Sequence, residues 1–230
     1  MLAAVPLLNI DAGEHDDEPE ELYALADVVN IACGGHAGDA RSMEHVLRAC
    51  KAHGTSAGAH PSFEDRDGFG RRELDVDARE IEVAVRVQCE ALRVIAERLG
   101  VEVRYVKAHG ALYHLANRDA RVAAAVHHGA RASLGASFTL IGPPEGELRK
   151  IANASGTPFA PEGFADRSTR PDGTLVPRGE SGAVITDPAV ARAQTRSMIA
   201  SAAYDTLCVH GDTAGAVDIA RAVRRELDGQ

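Results

Sequence analysis

Apolar residues recur along this chain in two alternating rhythms. Short runs stand at Pro6 to Ile10, Val28 to Ala32, Thr55 to Ala59, Val101 to Val106, Phe138 to Ile141, Thr157 to Glu162 and Thr206 to Val209. Between them lie longer stretches in which apolar positions return every three or four residues, the period of a helix with one buried face. Met43, Val46, Leu47 and Cys50 keep that spacing from an N-cap at Asp39 to a stop at Gly54. Ile81, Val85, Leu92, Ile95 and Leu99 keep it from a cap at Asp75 or Asp77 to Gly100. Further helices are expected around Leu22 to Ala26, from Asp119 toward Leu134, over Glu145 to Ala154, from Asp187-Pro188 to Ser201, and over Thr213 to Leu227. Strands that alternate with helices, with no tight hairpin signal between them, predict a parallel sheet.

Polar residues decide how that sheet is arranged. Asp11 and Glu14 follow the first strand, Asn30, His36 and Asp39 lie in or after the second, and His60 ends the third. Lys107 and His109 end the fourth, Asp166 and Arg167 follow the sixth, and His210 and Asp212 end the seventh. An open doubly wound sheet brings ligands to one switch point, whereas a closed barrel aims every strand's C-terminal end at one centre. The spread over six strands therefore predicts an irregular seven-stranded (β/α) TIM-like barrel. With no linker in sight, residues 1–230 read as one domain.

Composition narrows the partners. The formal net charge of −9 has no basic stripe to offset it, and only 4% of residues are aromatic with no Trp, so nucleic acid is not expected. No stretch reaches the length of a membrane span, and Met1 to Leu8 lacks the basic start of a signal peptide. Cys33, Cys50, Cys89 and Cys208 form no Cys-x-x-Cys pair and suit small buried thiols in a reducing compartment. The expectation is a cytoplasmic protein that does not engage membranes. The acidic run from Asp16 to Glu21 reads as a solvated helix start, with a mobile lid as the alternative.

Several chemistries are open to these residues. A carboxylate and two neutral imidazoles at Asp11, His36 and His60 make a ligand set for a divalent metal; the same residues as hydrogen-bonded rim groups without an ion is the other reading. Lys107 and His109, two apart on a strand, would face one pocket, the lysine to hold an anionic oxygen and the histidine to move protons. A salt bridge from Lys107 to Asp11 or Asp212 is the structural alternative. Arg167 offers a planar fork for a carboxylate, and Asp212 is either a general base beside His210 or a cap on the last helix. No glycine-rich nucleotide cradle is present. His15, His45, His53, His114, His127 and His128 read as surface or packing residues.

Taken in order, Asn9-Ile-Asp11-Ala-Gly13-Glu14, Asn30-Ile-Ala-Cys-Gly-Gly-His36-Ala-Gly-Asp39, Gly58-Ala-His60-Pro61, Gly68-Phe-Gly-Arg71-Arg72, Val106-Lys107-Ala-His109-Gly-Ala-Leu-Tyr113, Phe164-Ala-Asp166-Arg167, Pro171-Asp172-Gly-Thr-Leu-Val-Pro-Arg178 and Val209-His210-Gly-Asp212-Thr closely resemble the LamB/YcsF family of 5-oxoprolinase A subunits. The resemblance implies a barrel related to the polysaccharide deacetylases. It implies ATP-dependent hydrolysis of 5-oxo-L-proline, or a similar small lactam, to L-glutamate, with ATP as co-substrate and subunits B and C as partners. Mapped onto this chain, Asp11, His36, His60, Lys107, His109 and Asp212 would be catalytic. Glu14, Asn30, Asp39, Asp166, Arg167 and His210 would bind substrate. Ile10, Ala12, Gly35 and Ala108 depart from the family's usual Cys, Leu, aromatic and Pro. Two other readings remain: a stand-alone metal-dependent amide hydrolase or deacetylase, and a non-catalytic subunit of a larger complex. Assembly into a homo-oligomer is compatible with each.

Overall fold

The side chains that alternate along the first strand divide the molecule into an apolar mantle and a polar lumen. In this computed structural model, which describes residues 5–170 and 174–230, Leu8, Ile10 and Ala12 join the main hydrophobic core while Asn9 and Asp11 hydrogen-bond inside the barrel. Successive residues of a strand face opposite sides, so one short segment supplies both. Met1 to Ala4 of the expected domain, and Pro171, Asp172 and Gly173 of the sixth-strand motif, lie outside the described residues.

Strands β1 (Leu7–Ala12), β2 (Val28–Ala32), β3 (Ser56–His60), β4 (Val103–Lys107), β5 (Thr139–Gly142), β6 (Phe159–Phe164) and β7 (Thr206–His210) pair in sequence order. All pairings are parallel, and β7 closes on β1 to complete the barrel. Between the strands run α1 (Glu21–Leu25), α2 (Ala40–His53), α3 (Ala78–Leu99), α4 (Gly110–Arg118), α5 (Ala120–Leu134), α6 (Glu147–Ser155) and α7 (Pro188–Ser201), and α8 (Ala216–Leu227) ends the series. The register sets Asp11 opposite both Asn30 on β2 and His210 on β7, and Ala32 opposite His60 on β3. Polar residues from distant segments thus arrive at one level near the C-terminal mouth.

Helix signals in the sequence act as expected. Asp39 accepts from the backbone of Arg41 and Ser42, and Asp77 and Glu80 form a capping box at the start of α3. Asp187 caps α7 with Pro188 at its first position. The helix α3 buries Ile81, Val85, Cys89, Leu92, Ile95 and Ala96 along one face. Each large apolar side chain so buried stabilises the fold by about 1.5–3 kcal/mol. Helix α4 has no counterpart in the sequence pattern: it starts on glycine, and Asp119 both ends it and caps α5, so two helices share one boundary residue.

Strand ends shift in a consistent direction. The strands β1, β3, β4 and β7 each run on to include the polar residue that broke the apolar run, and β6 sits two residues later than the run Thr157 to Glu162. Glu162 lies within β6 and faces inward, where its carboxylate accepts from Asn9 and pairs with Lys107. The acidic run before α1 is used differently from a simple helix start. Glu18 accepts from the backbone N–H groups of Gly13, Glu14 and His15 and from the Tyr23 hydroxyl, fixing the turn that follows β1.

Candidate active site

Lys107 occupies the centre of the lumen as a cation between two carboxylates. Its ammonium lies 2.9 Å from Asp11 Oδ1 and 2.7 Å from Glu162 Oε1, with Asn9 Oδ1 at 3.3 Å. Burial acts against a charged lysine, but Asp11, Cys208 and Glu162 outweigh it and raise its pKa well above the ordinary value. Burial alone would raise Asp11; His60 and Lys107 overcome it and hold the carboxyl well below the usual range. Asn30 donates to Asn9 and Asp11, holding both in place from beneath the mouth.

Above this layer opens a cavity of about 430 Å³, lined among others by Asp11, His60, Lys107, His109 and His210. Its upper wall carries three guanidiniums, those of Arg71, Arg167 and Arg178. Arg178 grips both oxygens of Asp212 at 3.1 Å, and Arg71 bonds the same carboxylate. Two of these guanidiniums share the Asp212 carboxylate and Arg167 adds a third positive charge, which leaves the wall electropositive and suited to an anionic ligand. Arg167 donates to the carbonyls of Ala183 and Val176, which orients its plane along the wall.

At the other side of the cavity His210 is set by Asp166. The carboxylate of Asp166 accepts from the His210 backbone N–H at 3.0 Å, lies 2.9 Å from His210 Nδ1, and accepts from the Thr213 hydroxyl. The pair fixes Nδ1 as the protonated nitrogen and leaves Nε2 available. Burial pushes the His210 pKa down, yet Asp166 and Asp11 raise it above the ordinary histidine value. The ring stacks on Phe164 with centroids 5.6 Å apart.

Beside the cavity Glu14, His36, His60 and His109 form one buried cluster. Glu14 Oε1 lies 2.8 Å from His36 Nε2 and 3.3 Å from His109 Nδ1. The rings of His36 and His109 stack in parallel, 3.7 Å between centroids. Burial, opposed by His60 and reinforced by Asp11, raises the Glu14 carboxyl to about 7. Burial and the neighbouring His60 lower His36 to about 2, and burial with His36 and His60 holds His109 well below the ordinary value. Uncharged imidazoles result. Phe69, on the loop after β3, adopts a left-handed backbone with φ 54°, and its carbonyl lies 2.9 Å from His109 Nε2. A non-glycine residue held there stores about 1–3 kcal/mol of strain, typical of functional loops.

Placement of the expected residues is mixed. Asp11, His60, Lys107, His109, Arg167 and His210 line the cavity, and Asp166 stands directly behind it. Asp39 does not belong to the site: it is exposed and both its bonds serve the α2 N-terminus. Asp212 is no helix cap, since Gly215 stands at that position and two arginines hold the carboxylate. The trio Asp11, His36 and His60 divides; His60 lies 3.4 Å from Asp11, while His36 turns to Glu14. Glu14 therefore belongs with the histidines rather than on the cavity wall. Lys107 and His109 share the cavity as expected, although they do not sit on one strand: β4 ends at Lys107 and His109 is the N-cap of α4.

Sequence reasoning missed Glu162, Arg71, Arg178, Phe69 and His114, the last of which lines the cavity. The acidic Glu162 sat inside a proline-flanked run, and only an inward count along β6 would have singled it out. Gly35 has no room for a side chain, because Ser62 and Gln88 fill the space, the Gln88 Oε1 lying 2.6 Å from where a Cβ at position 35 would stand. That glutamine bonds the Ser62 backbone through both amide atoms.

A closed parallel barrel with ionisable groups gathered at its C-terminal mouth defines a TIM-like α/β barrel of the kind that carries enzyme sites there. A family model described as the LamB/YcsF family matches residues 8–230, and the chain belongs to that family. It is 46% identical to the 5-oxoprolinase A subunit of Streptomyces griseus and 40% identical to that of Streptomyces avermitilis, in both cases over 96% of this chain and 95% of the relative. A solved lactam utilization protein from Thermus thermophilus superimposes with a TM-score of 0.88 at 33% identity, covering 97% of this chain and 96% of that one. A family 4 carbohydrate esterase from Streptomyces lividans shares the fold alone, with a TM-score of 0.53 at 10% identity. Among the described residues no helix is long and apolar enough to cross a membrane.

Proposed function

We propose that this chain is the A component of a 5-oxoprolinase, opening the ring of 5-oxo-L-proline to L-glutamate with ATP as co-substrate and subunits B and C as partners. The observation that carries the reading is the cavity, which sets three guanidiniums opposite an aspartate-held histidine. The near full-length identity to 5-oxoprolinase A subunits supports the choice of substrate.

A five-membered lactam is resonance-stabilised and nearly free of strain, so its carbonyl is a poor electrophile. Phosphorylation of the amide oxygen by ATP would make it a good one. The substrate carboxylate, and a phosphoryl group once transferred, meet Arg71, Arg167 and Arg178. His210 Nε2 takes a proton from the attacking water, and Asp166 stabilises the imidazolium so formed. As the C–N bond breaks, the same nitrogen returns the proton to the leaving amine; the product of that step is an acyl phosphate, and attack by a second water releases inorganic phosphate and gives glutamate. Lys107, fixed between Asp11 and Glu162, sets a positive charge on the cavity floor where negative charge develops on oxygen.

The test is glutamate release from 5-oxoproline, with and without ATP, by this chain alone and with candidate B and C subunits. Release only with ATP and all subunits is expected. Turnover by the chain alone without ATP would replace the reading with that of a stand-alone amide hydrolase. Full turnover after His210→Ala and Asp166→Asn in the assembled system would leave the chain as a binding component.

A further inference from the structure

Tyr113 carries a buried hydroxyl to which the proposed chemistry gives no task. The residue stands on α4, is 4% exposed, and lines the cavity beside Lys107 and Phe164. Its ring meets Phe164 edge-on, with centroids 5.9 Å apart. Among the described residues the hydroxyl has no hydrogen-bond partner, and neither has Oε2 of Glu162, the second oxygen of the carboxylate that holds Lys107. Burial, with Glu162, Cys208 and Asp11 nearby, raises the Tyr113 pKa well above the ordinary value, so the phenol keeps its proton. The same three residues surround the Lys107 ammonium. Hydroxyl and ammonium therefore share one floor.

A buried phenol ordinarily finds a partner, because an unbonded donor shut away from water costs free energy. Here the unbonded donor belongs to a cavity wall, where a ligand is the partner to hand. The neighbouring cation is already engaged. Lys107 has three N–H bonds, and around them stand Glu162 at 2.7 Å, Asp11 at 2.9 Å, Cys208 at 3.0 Å and Asn9 at 3.3 Å. It supplies positive charge to the floor but has no hydrogen left over for a substrate oxygen.

We infer that the Tyr113 hydroxyl donates the hydrogen bond that holds the oxygen of the reacting carbon while the lactam ring opens. This role deepens the proposed lactam hydrolysis and rests on that reading. After water adds, the reacting carbon bears two oxygens, one from water and one carrying the phosphoryl group. Tyr113 donates to the first of these, which becomes the carbonyl of the acyl phosphate as the C–N bond breaks. The phenol keeps its own proton throughout, and no bond to Tyr113 forms or breaks. A fixed donor at that oxygen gains strength as negative charge grows there. That the bond is open in the free protein is ordinary, since catalytic hydrogen bonds often close only in the complex.

An ordered water bridging Tyr113 and Glu162 Oε2 is the rival occupant, and it would make the hydroxyl a structural group.

Tyr113→Phe separates the two, because it deletes the hydroxyl and keeps the ring that packs on Phe164. Glutamate release by the assembled enzyme, with candidate B and C subunits, is measured beside thermal melts of the full chain. The expected result is a fall in kcat of about 10²–10³-fold with little change in KM for 5-oxoproline. The melting temperature should equal or exceed that of wild type, since the variant loses a buried donor that had no partner. An unchanged kcat overturns the role. A lowered melting temperature also overturns it, since the hydroxyl would then be bonded within the folded chain. A wild-type assembly that releases no glutamate overturns instead the lactam reading on which the role rests.

Discussion

His210 is held by Asp166 through two contacts, one to its ring and one to its backbone N–H, at 2.9 and 3.0 Å. The pairing joins the end of β7 to the loop after β6 and fixes one tautomer. If His210 is the proton-moving group, it must be neutral to accept a proton from water. Its raised pKa then places the rising limb of kcat above the ordinary histidine value of about 6.5. Asp166→Asn removes the charge that raises it, so the limb should move to lower pH while kcat falls about 10²–10⁴-fold. Rate profiles of the assembled enzyme check both; a limb that stays in place would remove His210 from the role.

The same pair makes a pH-dependent contribution to folding. His210, with its folded pKa raised, stabilises the native state fully below about 6.5, and that contribution is lost as pH rises through the folded value. Asp166 has the opposite sign: its lowered pKa adds stability above about 3.9, which is lost as pH falls through the folded value. Denaturant melts of wild type and Asp166→Asn across pH should show both dependences reduced in the variant.

Lys107→Met should be severely destabilising. It leaves Asp11 and Glu162 buried without their shared cation, at a cost of about 3–5 kcal/mol. Adding Glu162→Gln removes one of the two stranded charges and should recover part of the loss. Urea unfolding midpoints of the single and double variants measure the coupling.

Gly70 approaches the histidine cluster with φ +65°. A Cβ there would lie 2.8 Å from His36 Cβ and 3.0 Å from His109 Cδ2. Gly70→Ala combines backbone strain with a clash against two packed rings, and a loss of about 1–3 kcal/mol is expected. Thermal unfolding reads the loss; a melting temperature unchanged from wild type would contradict the packing described.

Arg178→Ala should act on binding more than on the chemical step. It removes a bidentate partner of Asp212 and one of the three cations on the cavity wall. A charged hydrogen bond to substrate contributes about 1.5–3 kcal/mol, so KM for 5-oxoproline should rise about 10-fold or more with a smaller change in kcat. Steady-state kinetics of the assembled enzyme separate the two.

The linear pattern was enough to specify the alternation of strand and helix, because apolar period and capping chemistry act over a few residues. Asp39, Asp77 and Asp187 announced their helices locally, and the family motifs around Lys107 and His210 are contiguous. The same locality hid α4 behind a glycine start and ended several strands a residue early, since a polar lumen residue looks like the end of an apolar run. Which side chains meet was decided by the closed barrel. Its register sets Asp11 against both Asn30 and His210, brings Glu162 to Lys107, and turns His36 away from Asp11 toward Glu14. Those pairings join residues far apart along the chain through strand register and loop shape, and no local signal in the sequence carries either.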